Sequence, residues 1–132
     1  MRRLSDRLFL SLVLLVLIAG CSDPNDQFIQ GAWYYKDPHL ASVDGESQLE
    51  INWRFDRGTF EYYACCFSGE LHQKGRYRIL ESEDEVISLE LFNIQGGLTR
   101  GPVEVRITVD KEADTVSIQG AGPFSRTNFF QR

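Results

Sequence analysis

The chain has 132 residues, of which 42% are hydrophobic and 12% aromatic, and this suffices for one folded domain. Its formal net charge is −5, and because residues 1–20 hold three basic residues and one acidic residue, the remainder carries −7. A surface with this charge repels nucleic acid and anionic lipid headgroups, so we expect no nucleic-acid partner.

The N-terminal segment has the three parts of an export signal. Arg2, Arg3 and Arg7 form a basic start, and an apolar run from Leu8 to Ala19 follows, interrupted by one serine. This run is shorter than the roughly 20 apolar residues that a transmembrane helix needs. Residues 1–20 are therefore predicted to be a cleaved signal peptide.

Residues 17–21 read LIAGC and resemble the lipobox of bacterial lipoproteins. The resemblance implies that the chain is cleaved before Cys21. It also implies that this cysteine carries a diacylglyceryl thioether and an N-terminal acyl chain such as palmitate. One partner of the protein would then be the lipid bilayer. Each buried methylene stabilises such an anchor by about 0.8 kcal/mol. Because Ser22 rather than Asp follows, the resemblance also implies the periplasmic face of the outer membrane. We expect residues 21–27 to form a tether, in which Ser22 to Gln27 span at most about 20 Å.

The rest of the chain, residues 28–132, is predicted to consist of β-strands. Apolar and polar residues alternate with the period of two that is typical of strands, as in Val103 to Asp110, and turn residues separate the runs. The predicted strands are Phe28–Lys36, Gln48–Asp56, Thr59–Phe67, Glu70–Leu80, Glu85–Asn93, Val103–Asp110, Thr115–Gln119 and Phe124–Gln131. The segment from His39 to Ser47 is predicted to be a short helix or a long loop. Eight strands with mostly short connections predict an all-β fold, a single small antiparallel up-and-down barrel.

Gly31-Ala32-Trp33 at the start of the first strand resembles the Gly-x-Trp motif of lipocalins and their short bacterial relatives. Further phrases of small lipocalin-like lipoproteins are similar to residues 55–60, 75–77 and 114–116. The resemblance implies that Gly31 and Trp33 close one end of the barrel and that an arginine near the last strand, Arg126, packs over the tryptophan ring. Such a contact is a cation–π interaction.

Cys65 and Cys66 are the unusual pair of the domain. Adjacent Cα atoms lie about 3.8 Å apart, below the usual range for a disulfide, and neighbouring strand residues point to opposite faces. The favoured interpretation is two reduced thiols, one of them buried as a small hydrophobe. The alternatives are an intermolecular disulfide or redox-sensitive thiol, and metal binding together with His72, although the spacing typical of zinc or copper ligands is absent.

Other polar residues give little indication of catalysis. His39 is interpreted as a solvated loop histidine rather than a general base, and the four carboxylates between Glu81 and Glu85 as a solvated turn. The sequence contains none of the usual nucleophile, phosphate-binding or metalloprotease motifs. We therefore expect no enzymatic activity, no cofactor and no bound metal.

The leading functional hypothesis is a membrane-anchored, non-enzymatic envelope protein that binds a small apolar or lipid-like ligand in the barrel mouth. It predicts an unfilled interior lined by Trp53, Phe55, Leu89 and Leu91. The alternative is a filled barrel that acts as an interaction module or inhibitor of another envelope protein through the loops at His39–Ser47 and Gly96–Pro102. A basic hydrolase would suit the charge of −7. A third hypothesis is a redox or metal sensor that uses Cys65, Cys66 and His72.

Overall fold

The computed structural model describes residues 23–36, 50–65, 69–97 and 99–128. These ranges do not include the predicted signal peptide, Cys21 or the segment from His39 to Ser47. One short helix, α1 (Pro24–Ile29), precedes the strands in the described ranges. The strands are β1 (Gly31–Lys36), β2 (Glu50–Asp56), β3 (Thr59–Cys65), β4 (Glu70–Glu83), β5 (Val86–Gln95), β6 (Val103–Asp110), β7 (Thr115–Ile118) and β8 (Ala121–Ser125).

The eight strands form a closed barrel in which each strand pairs with its neighbour in sequence. Every pair is antiparallel, and the barrel closes where β1 meets β8, with Tyr34 opposite Ser125. The prediction of an all-β, eight-stranded, up-and-down barrel is therefore confirmed. In the described residues, closure gives each strand a neighbour on both sides, which reduces the exposed edge available for edge-to-edge aggregation.

Strand β8 begins at Ala121 rather than Phe124 and ends at Ser125, so the prediction of a strand to Gln131 is wrong for residues 126–128. Strand β4 continues through Ser82 to Glu83 instead of ending at Leu80. Two register shifts between β4 and β5, one near Gly75 and one near Leu80, allow the long strand to follow the curve of the barrel. The acidic run therefore lies mostly on a paired strand, and the turn shortens to Asp84-Glu85.

The helix α1 occupies most of the segment that the sequence predicted to be an extended tether. Asp23 caps it, its carboxylate accepting a hydrogen bond from the Asp26 amide at 3.0 Å, and Pro24 begins the helix. Both features are typical of helix starts. The tether prediction is thus wrong for residues 24–27, and β1 begins at Gly31 rather than Phe28.

The inward faces of the strands form one core, as the alternation predicted. In β6 the inward side chains of Val105, Ile107 and Val109 are buried, Val103 at the first position is half-buried, and each outward side chain is exposed. At Gly75 the strands approach so closely that a Cβ atom would lie 2.8 Å from the Phe92 carbonyl oxygen and 2.9 Å from the Phe60 ring. Among the described residues, the buried hydrophobic side chains are those of Ile29, Trp33, Phe55, Phe60, Tyr77, Ile87, Leu89, Leu91, Val105, Ile107, Val109, Val116, Ile118 and Phe124.

Candidate functional site

The two ends of the barrel differ in how they are covered. At one end, which we call the capped end, lie α1, the β2–β3 turn, the β4–β5 turn and the β6–β7 turn. At the other end, which we call the mouth, the described residues include the β7–β8 turn and most of the connection between β5 and β6. A ligand that enters the barrel has to pass through the mouth, because the core fills the capped end.

Arg126 holds the capped end together. Its guanidinium lies 3.9 Å from the centroid of the Trp33 ring and 5.5 Å from that of Phe28. It donates hydrogen bonds to the carbonyl oxygens of Phe28 and Gln30, the latter at 2.8 Å. Gly31, whose φ is +106°, leaves room for the guanidinium, since a Cβ there would lie 3.1 Å from it. This is the contact that the lipocalin resemblance implied for Gly31, Trp33 and Arg126.

A network of polar side chains joins α1 to the barrel wall at the same end. The Tyr77 hydroxyl donates to the Asp26 carboxylate at 2.7 Å and accepts from the Gln30 amide at 2.9 Å. Burial, followed by the bond to Asp26, raises the pKa of Tyr77 to about 12. The phenol therefore stays neutral under all ordinary conditions and acts as a structural donor rather than an acid or base.

The mouth contains a cavity of about 320 Å³. Its floor includes Trp53, whose ring packs against Tyr62 at 4.7 Å and against Phe55 at 5.7 Å between centroids. The apolar lining side chains are Ile51, Trp53, Val103, Val105, Ile118, Ala121 and Phe124, and the polar ones are Tyr62, Gln73 and Gln119. A mostly apolar concave surface with a few polar groups is typical of sites for small molecules.

The polar groups of the cavity are neutral and two of them are already held by the backbone. The Gln73 amide donates to the Gly96 carbonyl oxygen at 3.2 Å, and the Gln119 amide donates to that of Glu104 at 3.0 Å. Burial raises the pKa of the Tyr62 phenol, so this group is also uncharged. The described residues that line the cavity include no charged side chain. The arrangement therefore favours an uncharged or apolar group inside the mouth.

The sequence predicted the lining only in part. Trp53 lines the cavity as expected, but Phe55, Leu89 and Leu91 are packed into the filled core, each at most 4% exposed. Strand alternation shows that a side chain points inward, yet it does not show whether neighbours fill the space beside it. The predicted unfilled interior is thus restricted to the mouth.

The cysteine prediction requires a correction. Cys65, the last residue of β3, is disulfide-bonded. The favoured interpretation of a reduced thiol is therefore wrong for Cys65. Its bonding partner lies outside the described residues, as does Cys66. The separation of adjacent Cα atoms does not decide whether a half-buried thiol at a strand end is oxidised. His72 is exposed and its ring meets that of Tyr63 edge-on at 6.4 Å. Within the described ranges, no three His, Cys, Asp or Glu side chains come together as metal ligands would.

The acidic run lies on the outer wall of the barrel. Glu81 and Glu83 are exposed and border a depression of about 330 Å³ together with Glu104 and Arg106. The prediction that these carboxylates are solvated is confirmed, but the prediction that they lie in a turn is wrong for Glu81 and Glu83, which belong to β4.

Sequence reasoning missed the role of α1 in covering the barrel. The pair Asp23-Pro24 was the available signal, because an acidic cap followed by proline is typical of the first residues of a helix.

Comparison with protein-family models, with curated proteins and with solved structures finds no match to this chain. In the described part of the chain, no helix has the length and apolar character needed to cross a bilayer.

Proposed function

We propose that this protein is a lipid-anchored envelope protein that binds a small apolar or lipid-like ligand in the mouth of its barrel, without catalysing a reaction. The mouth cavity is the observation that carries the proposal. Its lining is largely apolar and includes no charged side chain among the described residues, while the opposite end is filled and covered.

The size of the cavity limits the ligand. Sites for small molecules usually measure about 300–1,000 Å³, so a volume of about 320 Å³ lies at the lower bound. This volume corresponds to one short acyl chain or a compact apolar molecule. Tyr62 lies beside the apolar side chains, and its hydroxyl is placed to contact a polar group of the ligand.

The lipobox-like residues 17–21 support the anchoring part of the proposal. Acyl chains on Cys21 would hold the domain at a membrane surface, and two or more chains make such anchoring stable. Because Ser22 follows the cysteine, we propose the periplasmic face of the outer membrane as the location.

Binding can be tested with the soluble domain, residues 22–132, and a dansyl-labelled fatty acid as the probe. We expect saturable binding that Ala121→Phe abolishes, because the larger side chain fills the cavity. Ala113→Phe, on the exposed β6–β7 turn, is the matched control and should bind the probe as the wild type does.

Native mass spectrometry of the same domain, purified gently from a periplasmic extract, provides a second test. A reproducible added mass of a few hundred daltons would support a held ligand and would identify its class. A bare monomer that also fails to bind the probe would contradict the proposal. It would favour the alternative of a filled interaction module, for which partner capture through the Gly96–Pro102 loop is the next experiment.

A further inference from the structure

The first described residues are fixed to the barrel wall rather than free in solution. The Asp23 carboxylate accepts two contacts from the Ser82 hydroxyl, at 2.8 and 2.9 Å. The Asn25 amide donates to the Ser82 hydroxyl and to the Asp84 carbonyl oxygen, each at 3.0 Å. Ile29, at the end of α1, is fully buried in the core. The chain is therefore attached to the capped end from Asp23 onward.

This attachment leaves almost no free tether. Ser22 alone separates Asp23 from Cys21, the residue that the proposed function acylates. Two Cα–Cα steps span at most about 7 Å. The capped end is thus restricted to the immediate neighbourhood of the lipid anchor, in contrast to the roughly 20 Å that an extended tether would allow.

The mouth lies at the opposite end of the strands. β6 has eight residues, which rise about 26 Å along the strand at about 3.3 Å per residue. With the strand tilt of about 40° that is usual in barrels, the distance along the barrel axis is about 20 Å. A capped end next to the membrane therefore places the mouth about 20 Å farther from it.

The surface of the capped end is not suited to insertion between acyl chains. Its turns present exposed charged side chains of both signs, and inserting them would carry a large cost of desolvation. These side chains are Arg57, Asp84, Glu85, Lys111, Glu112 and Asp114.

We propose that the protein stands on its capped end, with the mouth directed away from the membrane that holds its anchor. The ligand then enters from the aqueous side and not from the bilayer beneath the protein. This inference deepens the proposed function and rests on it, because it assumes both acylation of Cys21 and binding in the mouth.

Orientation can be measured on the acylated full-length protein in liposomes of neutral phosphatidylcholine. A fluorophore is attached through Ala113→Cys at the capped end or through Thr99→Cys beside the mouth, and a nickel-chelating lipid headgroup serves as a short-range quencher. We expect several-fold stronger quenching at position 113 than at position 99. Equal quenching, or stronger quenching at position 99, would overturn the proposal.

Two further variants serve as controls. The quenching of both labels is measured once in a protein in which serine replaces Cys65 and Cys66, and once in a protein that keeps these cysteines. Both proteins should give the same order of quenching. Insertion of a flexible Gly-Ser linker of about ten residues after Ser22 should remove the difference between the two labels, because it releases the capped end from the anchor. A difference that survives the linker would refute the role of the short tether.

A loading experiment then separates the orientation from the ligand-binding function. The dansyl-labelled fatty acid is supplied either in the aqueous phase or within the anchoring liposomes. We expect fast loading from the aqueous phase, and loading from the liposomes that increases several-fold when the linker is inserted. If the soluble domain binds no probe, the proposed function fails, while the quenching still measures orientation. If binding is intact but the two labels are quenched equally, the orientation alone is wrong.

Discussion

Arg126 is the side chain on which the stability of the capped end is expected to depend most. Its guanidinium covers the Trp33 ring and donates to the carbonyl oxygens of Phe28 and Gln30, where α1 passes into β1. The substitution Arg126→Ala removes both donors at once and exposes one face of the tryptophan. We therefore expect a large loss of stability from a residue that lies at the surface.

The magnitude follows from the separate contacts. Hydrogen bonds from a charged donor contribute about 1.5–3 kcal/mol each and a cation–π contact about 0.5–2 kcal/mol. We use the lower ends of these ranges, because the side chain is 36% exposed and water replaces part of what is lost. The sum is about 3.5 kcal/mol, which lowers the Tm of a domain of this size by roughly 10–20 °C.

The ion pair between Arg126 and Asp114 is expected to contribute little of this. The two side chains meet at 3.1 Å, but the Asp114 carboxylate is 58% exposed. Exposed pairs contribute about 0–1 kcal/mol. The substitution Asp114→Asn should thus be mild, and Arg126→Lys, which keeps the charge but loses the planar fork, should destabilise nearly as much as Arg126→Ala.

Urea unfolding followed by tryptophan fluorescence measures these differences in one series, with Arg100→Ala as the control at an exposed loop arginine. An Arg126→Ala protein that unfolds at the urea concentration of the wild type would refute the reasoning. If Asp114→Asn were as harmful as Arg126→Ala, the ion pair rather than the cover over Trp33 would stabilise this end.

Three further outcomes are expected. Folding raises the pKa of Tyr77 to about 12 from an ordinary 10.0, so the neutral phenol stabilises the fold below pH 10. This contribution, up to roughly 2–3 kcal/mol, is lost between pH 10 and 12. The difference in free energy of unfolding between the wild type and Tyr77→Phe should therefore be smaller at pH 11.5 than at pH 9. Gly75→Ala should cost about 1–3 kcal/mol in urea unfolding, since its Cβ meets backbone and ring atoms below 3.0 Å, whereas Gly101→Ala, with open space around it, should be nearly neutral. Cys65 should not be alkylated by iodoacetamide in the folded protein until a reductant is added, and labelling without reductant would contradict its disulfide.

The barrel could be predicted from the sequence because one face of each strand is buried. In β6 the residues Val105, Ile107 and Val109 are at most 3% exposed while the residues between them face water. A slip of one residue would turn all three outward, so the pattern in the sequence and the register in the structure express the same constraint. In β5 the residues Ile87, Leu89 and Leu91 are buried in the same alternating way.

The helix α1 was not predicted because six residues are too few to show a helical period. Its stability comes from contacts distant in sequence, such as the bond between Asp23 and Ser82, which are 59 residues apart. A pattern within one segment contains no information about such a partner. The signal at Asp23-Pro24 indicates where a helix begins, but it does not indicate that the helix covers a barrel.

From the sequence, a cavity could be predicted only for the barrel interior as a whole. Strand alternation shows which side chains point inward, but it does not show which part of the interior they leave unfilled. The capped half of the barrel is filled by large inward rings, those of Trp33, Phe55, Phe60 and Tyr77. The inward positions of the mouth half include smaller side chains such as Val103 and Ala121. Because both halves have the same strand spacing, this difference in side-chain volume leaves the mouth partly empty. Trp53 on the floor should consequently limit the length of the ligand, and Val103 and Ala121 should limit its width. The substitution Val103→Ala should therefore allow bulkier probes to bind and leave the capped end unchanged.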